Sequence, residues 1–139
     1  MSDPLIASTR SAASGLFAQS SRMRVVSENI ANASTTGKTP GADPYQRKTI
    51  SFQSVMDENA GADLVQVDKI SHDETPFETQ YMPGNAAADS NGMVKMPNVN
   101  MLVELADMRE ASRSYTANTQ VIKQVRELVS MTIDLMRST

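Results

Sequence analysis

Two groups of residues have the types and spacing that chemistry requires. His72 stands beside Asp73 and Glu74, with Asp68 four residues upstream. An imidazole among carboxylates can hold a metal ion or divide acid and base roles. Further along, Glu104, Asp107 and Glu110 alternate with Arg109 and Arg113 at helical spacing. Neither group is sufficient. A metal centre needs several converging donors, and the chain has 1 histidine and 0 cysteines. A solvated turn is therefore the expected setting of His72. The mixed charges of the second group read as weak ion pairs on the solvent side of a helix, with Glu104 also close to its positive end. Ser14-Gly15 is no nucleophile elbow, and no glycine-rich phosphate cradle exists. The sequence thus predicts no catalytic residue, no cofactor, no metal and no enzyme.

Composition narrows the remaining classes. With 139 residues and 40% hydrophobic side chains the chain suits one folded domain, but aromatic residues are only 4% and methionine reaches 10. Packing must rely on aliphatic and thioether groups, which adapt to several neighbours and suit an interface. A net charge of −3 with scattered basic residues gives no reason to bind nucleic acid or an anionic membrane. No apolar run approaches the roughly 20 residues of a membrane span, so lipid bilayer insertion is not expected. Met1-Ser2-Asp3-Pro4 lacks the basic and apolar regions of a Sec signal peptide, so any export is expected to proceed without one.

The positioning elements follow from periodicity. Residues 1–35 read as a helix with Asp3 as N-cap and Pro4 at its first position, running to about Asn32. Leu5, Ala12, Leu16, Met23, Val26 and Ile30 form its stripe, while Ile6, Ala13 and Phe17 lie off it. Residues 36–98 read as loops and a small β-ribbon. Pro44-Tyr45 fixes the start of a first strand around Ile50 and Phe52. Further strands fall at Val65–Val67 and Phe77–Tyr81 about a turn at 71–76, and at Met93–Met96. Residues 99–139 read as a second helix, capped by Asn98 or Asn100. On it Val121, Val125, Leu128 and Leu135 form one stripe, and Ile122, Val129, Ile133 and Met136 a second.

Together the two stripes cover an arc of about 160°, whereas a surface helix usually needs about 100°. The expectation is an intramolecular seam through Val125 and Leu128, with the Val129 stripe left for another chain. The fold class is mainly α with a small β-rich middle. Asn29 and Asn32 either bond backbone groups where the first helix ends or make an inter-subunit contact. Tyr115, among Ala111, Ser112, Ala117 and Asn118, packs in the helix seam, on a neighbour or against the ribbon.

Ser14-Gly15-Leu16-Phe17-Ala18-Gln19-Ser20-Ser21-Arg22-Met23, Asn29-Ile30-Ala31-Asn32-Ala33, Pro44-Tyr45-Gln46-Arg47-Lys48, Tyr81-Met82-Pro83-Gly84, Pro97-Asn98-Val99-Asn100 and Ala111-Ser112-Arg113-Ser114-Tyr115-Thr116-Ala117-Asn118 appear in that order. In order and spacing they closely resemble the bacterial flagellar basal-body rod family, and the short middle segment resembles its proximal-rod members. Gln46 before Arg47 and Asn85–Asp89 after Pro83-Gly84 depart from the family pattern, so contacts of the middle segment are not carried over.

The resemblance implies a non-enzymatic structural subunit, exported through the flagellar type III apparatus into a rod that crosses the periplasm and transmits torque. It implies N- and C-terminal helices paired as a coiled coil in the inner wall of a hollow tube, in a helical hetero-oligomer with other rod proteins and copies of itself. The assembly residues expected are those of the two helices and their flanks already named, from Leu16 and Phe17 to Ile133 and Met136. A soluble helical adaptor of the secretion apparatus, using the same termini on one partner, is the alternative. Exposed apolar termini are further expected to order only on docking.

Overall fold

The computed structural model describes residues 4–59 and 61–137. Helix α1 runs Pro4–Ala31, strands β1 and β2 run Lys48–Asp57 and Ala62–His72, β3 and β4 run Glu78–Tyr81 and Met93–Met96, and helix α2 runs Met101–Arg137. Pro4 opens α1 where its missing N–H costs nothing. The Asp3 cap lies outside the described residues. Asn32 ends the helix by turning its side-chain amide onto the Glu28 carbonyl at 2.9 Å. Asn100 caps α2, its Oδ1 accepting the amides of Leu102 and Val103.

The expected single ribbon is two separate sheets, β1–β2 and β3–β4. A tight turn joins β1 to β2, which makes that pair antiparallel. β3 does not pair across the 71–76 turn. It runs antiparallel to β4 with Glu78 opposite Met96 and Tyr81 opposite Met93. The reason lies in the connection, where the Met82 amide donates to the Gly92 carbonyl. Gly92 has φ of 75°, and a Cβ there would stand 2.9 Å from the Tyr81 ring, so only glycine closes this loop without strain.

The chain divides into two compact units. One contains α1 as far as Arg22, Ser51–Lys69 of the ribbon, and α2 from Arg109. Here α1 is covered from two directions. Ser11 donates to the Asp63 carbonyl at 3.3 Å and Ser14 accepts from the Val65 amide at 3.1 Å, which seats the ribbon on a face of small residues that continues to Ala18, 1% exposed. The apolar stripe read from sequence missed this face because serine carries no hydrophobic signal and alanine only a weak one.

Toward α2 the pairing is antiparallel. Arg22 meets Glu110 at 3.6 Å, Gly15 lies against Asn118, and Leu5 and Thr9 share a hollow with Val125 and Val129. A Cβ at Gly15 would stand 2.5 Å from the Asn118 amide nitrogen. Gly15→Ala trades about 1 kcal/mol of helix propensity against displacing a short side chain, so its unfolding midpoint in urea is expected close to wild type. Gly15→Leu is expected to cost about 1–3 kcal/mol by wedging the helices apart. An unchanged midpoint for Gly15→Leu would contradict the close approach.

The other unit contains Met23–Ile50 and Ile70–Met108. Val25, Val26, Ala87 and Val94 form its apolar core, but its largest fully buried side chains include Glu104 and Asn29. A polar centre in so small a core requires an account of every partner.

Candidate functional site

Asn29, 1% exposed, is satisfied on all sides. Its Nδ2 donates to the Lys48 carbonyl at 2.8 Å and to Glu104 Oε2 at 3.0 Å. Its Oδ1 accepts from the Lys48 amide and from the Tyr45 hydroxyl, both at 2.9 Å. The two readings from sequence were bonds to backbone groups where the helix ends and an inter-subunit contact, and the backbone it bonds is that of Lys48. It thus joins α1 to the start of β1 and to α2.

Glu104 is 0% exposed. Its Oε1 accepts from Arg47 Nε at 2.6 Å, and Arg47 Nη1 reaches Asp73 Oδ2 at 3.2 Å. The solvent-side placement expected for Glu104 is therefore wrong, because the carboxylate is drawn inward by a guanidinium on another element. Asn98, the other candidate cap, is used here too. Its Oδ1 accepts the Arg47 amide, and its Nδ2 donates to the Asp73 and Thr75 carbonyls. Gln46, the departure from the family pattern, donates to the Asp73 carbonyl at 2.8 Å. Pro44 is buried, and the Tyr45 amide donates to the Thr35 carbonyl. Six separated chain segments thus meet in one hydrogen-bonded joint.

The electrostatics follow from that geometry. Burial, then the Glu28 and Glu104 carboxylates, push the Tyr45 hydroxyl above its ordinary value, so it donates as a neutral phenol. Burial works against the Arg47 cation, but bonds to Glu104 and then Asp73 outweigh it, and its pKa is raised. The Thr75 hydroxyl and amide, aided by Arg47, hold the Asp73 carboxyl below the usual range.

A lowered folded-state pKa stabilises the fold above the unfolded value of about 4 and loses that contribution as pH falls through the folded value. Asp73→Asn is therefore expected to destabilise the protein at neutral pH by more than it does in acid. Urea midpoints of both chains across that range check this, and a gap that widens on acidification would contradict it. His72 ends β2 exposed, and no group of three or more potential metal ligands exists among the described residues.

The helix faces form the second candidate surface. In α2 the covered line runs through Ala111, Asn118, Ile122 and Val125. Val129, 40% exposed, lies in step with that line and borders a hollow of about 360 Å³ with Leu5, Ile6, Thr9, Arg10 and Val125. Leu128 is 50% exposed on a flank about 100° away, in heptad step with Val121 and Leu135.

The expected assignment, with Val125 and Leu128 in the seam and Val129 outside, is met only at Val125, since Leu128 and Val129 are both exposed and it is Val129 that lines a hollow with α1. The line through Ala111 and Asn118 fixes which side of α2 meets α1, and small residues set that line where only large ones were followed. Ile133 and Met136 continue the covered line but are exposed. Of the α1 candidates, Val26 is buried, Leu16, Met23 and Ile30 are half-buried, and Phe17 is 69% exposed beside Leu64–Val67. Tyr115 is exposed, which argues against simple packing under the ribbon. No helix among the described residues is long and apolar enough to cross a membrane.

Sequence reading missed Arg47 and Glu104 as partners. Glu104 does lie seven residues before Ala111 and so on the covered line, a signal available from spacing alone. Nothing local marked Arg47.

Comparisons with known proteins cover this same layout. Residues 10–37 match the model of the flagella basal body rod protein family, and residues 90–135 match that of the flagellar basal body rod FlgEFG protein C-terminal region. The flagellar basal-body rod protein FlgC of Agrobacterium fabrum is 60% identical over 136 residues, 98% of each chain. That of Salmonella typhimurium is 40% identical over 125 residues, covering 89% of this chain and 92% of its own. That of Bacillus subtilis is 34% identical, covering 88% and 92%.

Proposed function

The chain belongs to the flagellar basal-body rod protein family, and from that membership we propose how it works as a structural subunit of the rod, the drive shaft that carries motor torque for motility. Its place is the basal-body rod. The carrying observation is the apolar surface that stays exposed after α1 and α2 have covered each other, with Phe17 on α1 and Leu128 on α2 as its clearest members. An open helical array needs two different surfaces of each subunit to meet, and residues outside the mutual seam supply them. Copies of this chain and other rod proteins are the partners that fit. The polar joint would resist rotation of the α2 start against the ribbon when torque passes through.

Passage through the flagellar type III export apparatus accounts for delivery to such a site. Binding of nucleic acid or insertion into lipid has no support in the charge distribution or the helices. We assign no catalytic step. Cells lacking the chain are expected to lose swimming and to yield basal bodies without a complete rod, with both restored by re-expression and with the chain recovered in purified basal bodies. Complete rods in its absence, or a chain that acts without entering them, would favour the adaptor reading.

A further inference from the structure

The seam between α1 and α2 has a property that its apolar residues do not explain. Through its middle turns the α1 side of the seam is small, with Ser8, Ala12 and Gly15 against Asn118 and Val121, and larger apolar groups enter at the Leu5–Val125 end. A smooth face gives few knobs and holes, so apolar packing alone distinguishes poorly between one alignment and another displaced by a heptad, about 10 Å along the axis. Beside the Gly15–Asn118 contact, the layer with the most specific partners is polar. Asn29 uses all its bonding capacity on Lys48, Tyr45 and Glu104, and Glu104 uses both oxygens on Asn29 and Arg47.

We propose that the Asn29–Glu104–Arg47 layer is a register lock, selecting one alignment of α1 against α2 while adding little net stability. Sliding α2 by a heptad in one direction carries Glu104 beyond Ala31, where α1 has ended. Sliding it the other way brings Glu104 to Arg22 but strips its carboxylate from Arg47 and Asn29. Arg47 is fixed at the start of β1 by the Asn98 bond to its amide, and cannot follow. A buried ion pair replaced as a pair by apolar groups often costs nothing, whereas a single polar layer in a helix seam fixes register. Both helices are unbroken, so alignment chosen at this layer is carried along them.

The test separates register from stability. The chain has 0 cysteines, so introduced pairs report alignment directly. Gly15→Cys with Asn118→Cys reports the observed register, and Gly15→Cys with Ala111→Cys reports a heptad slip. With Glu104 and Arg47 intact, the first pair is expected to cross-link nearly completely and the second hardly at all.

In Glu104→Met/Arg47→Met, cross-linking of the first pair is expected to fall at least twofold and that of the second to rise by about the same amount, with the urea midpoint falling less than in either single variant. Retention of the first pair alone in the double methionine variant overturns the lock. So does failure of that variant to fold, because the layer would then be a source of stability.

Discussion

Glu104→Ala is expected to lower stability by about 3 kcal/mol, a large share of what a domain this size possesses. The carboxylate is 0% exposed and serves two partners, so its removal leaves an Asn29 N–H unmet in a closed interior. It also leaves the Arg47 guanidinium, 22% exposed, with Asp73 alone. Arg47→Met is expected to cost at least as much, since it strands the buried carboxylate with one neutral donor. The two changes together should cost far less than their sum, because neither charge is then left without the other. Urea unfolding of wild type, both single variants and the double variant closes the cycle. Additive losses would mean that Glu104 and Arg47 act independently, and the joint would have to be redrawn around Asp73.

The ease of reading this chain differed between its helices and its centre. Both long helices follow from periodicity and capping, because Pro4, the 29–37 polar run and Pro97–Asn100 punctuate strong patterns. The joint was unreadable in its connections, since Arg47 and Glu104 lie 57 positions apart and only the fold brings them together. Asn98 and Asn100 look alike as caps, yet the Asp73 and Thr75 carbonyls claim Asn98 and leave the helix to Asn100. The orientation of α2 was legible at Val125 but not at Leu128, for a different reason. Bulk suggested that Leu128 belonged inside, but inner faces here are defined by close approach at Gly15, Ala18 and Ala111, and close approach selects small residues.

Leu128→Asp should block rod completion while leaving the free subunit as stable as wild type. At 50% exposure Leu128 contributes little to the isolated chain, and a charge there stays in water at a cost within about 0.5 kcal/mol. Once a neighbour docks on that flank, the same carboxylate is desolvated without a partner and costs several kcal/mol in every subunit. Val129→Asp should behave in the opposite way. It places a carboxylate in the hollow lined by Leu5 and Ile6, softened by Arg10 in the same lining, so a loss of about 1 kcal/mol is expected in the free chain. Two measurements distinguish the variants, the urea midpoint of the purified subunit and the yield of complete rods from cells that secrete it normally. A wild-type midpoint with no rods for Leu128→Asp places the intermolecular contact on the Leu128 flank. Normal rods from that variant would show that the flank meets water in the assembly. The apolar surface that builds the rod would then have to be sought around Phe17 and the first turn of α2, where Leu102 is 78% exposed.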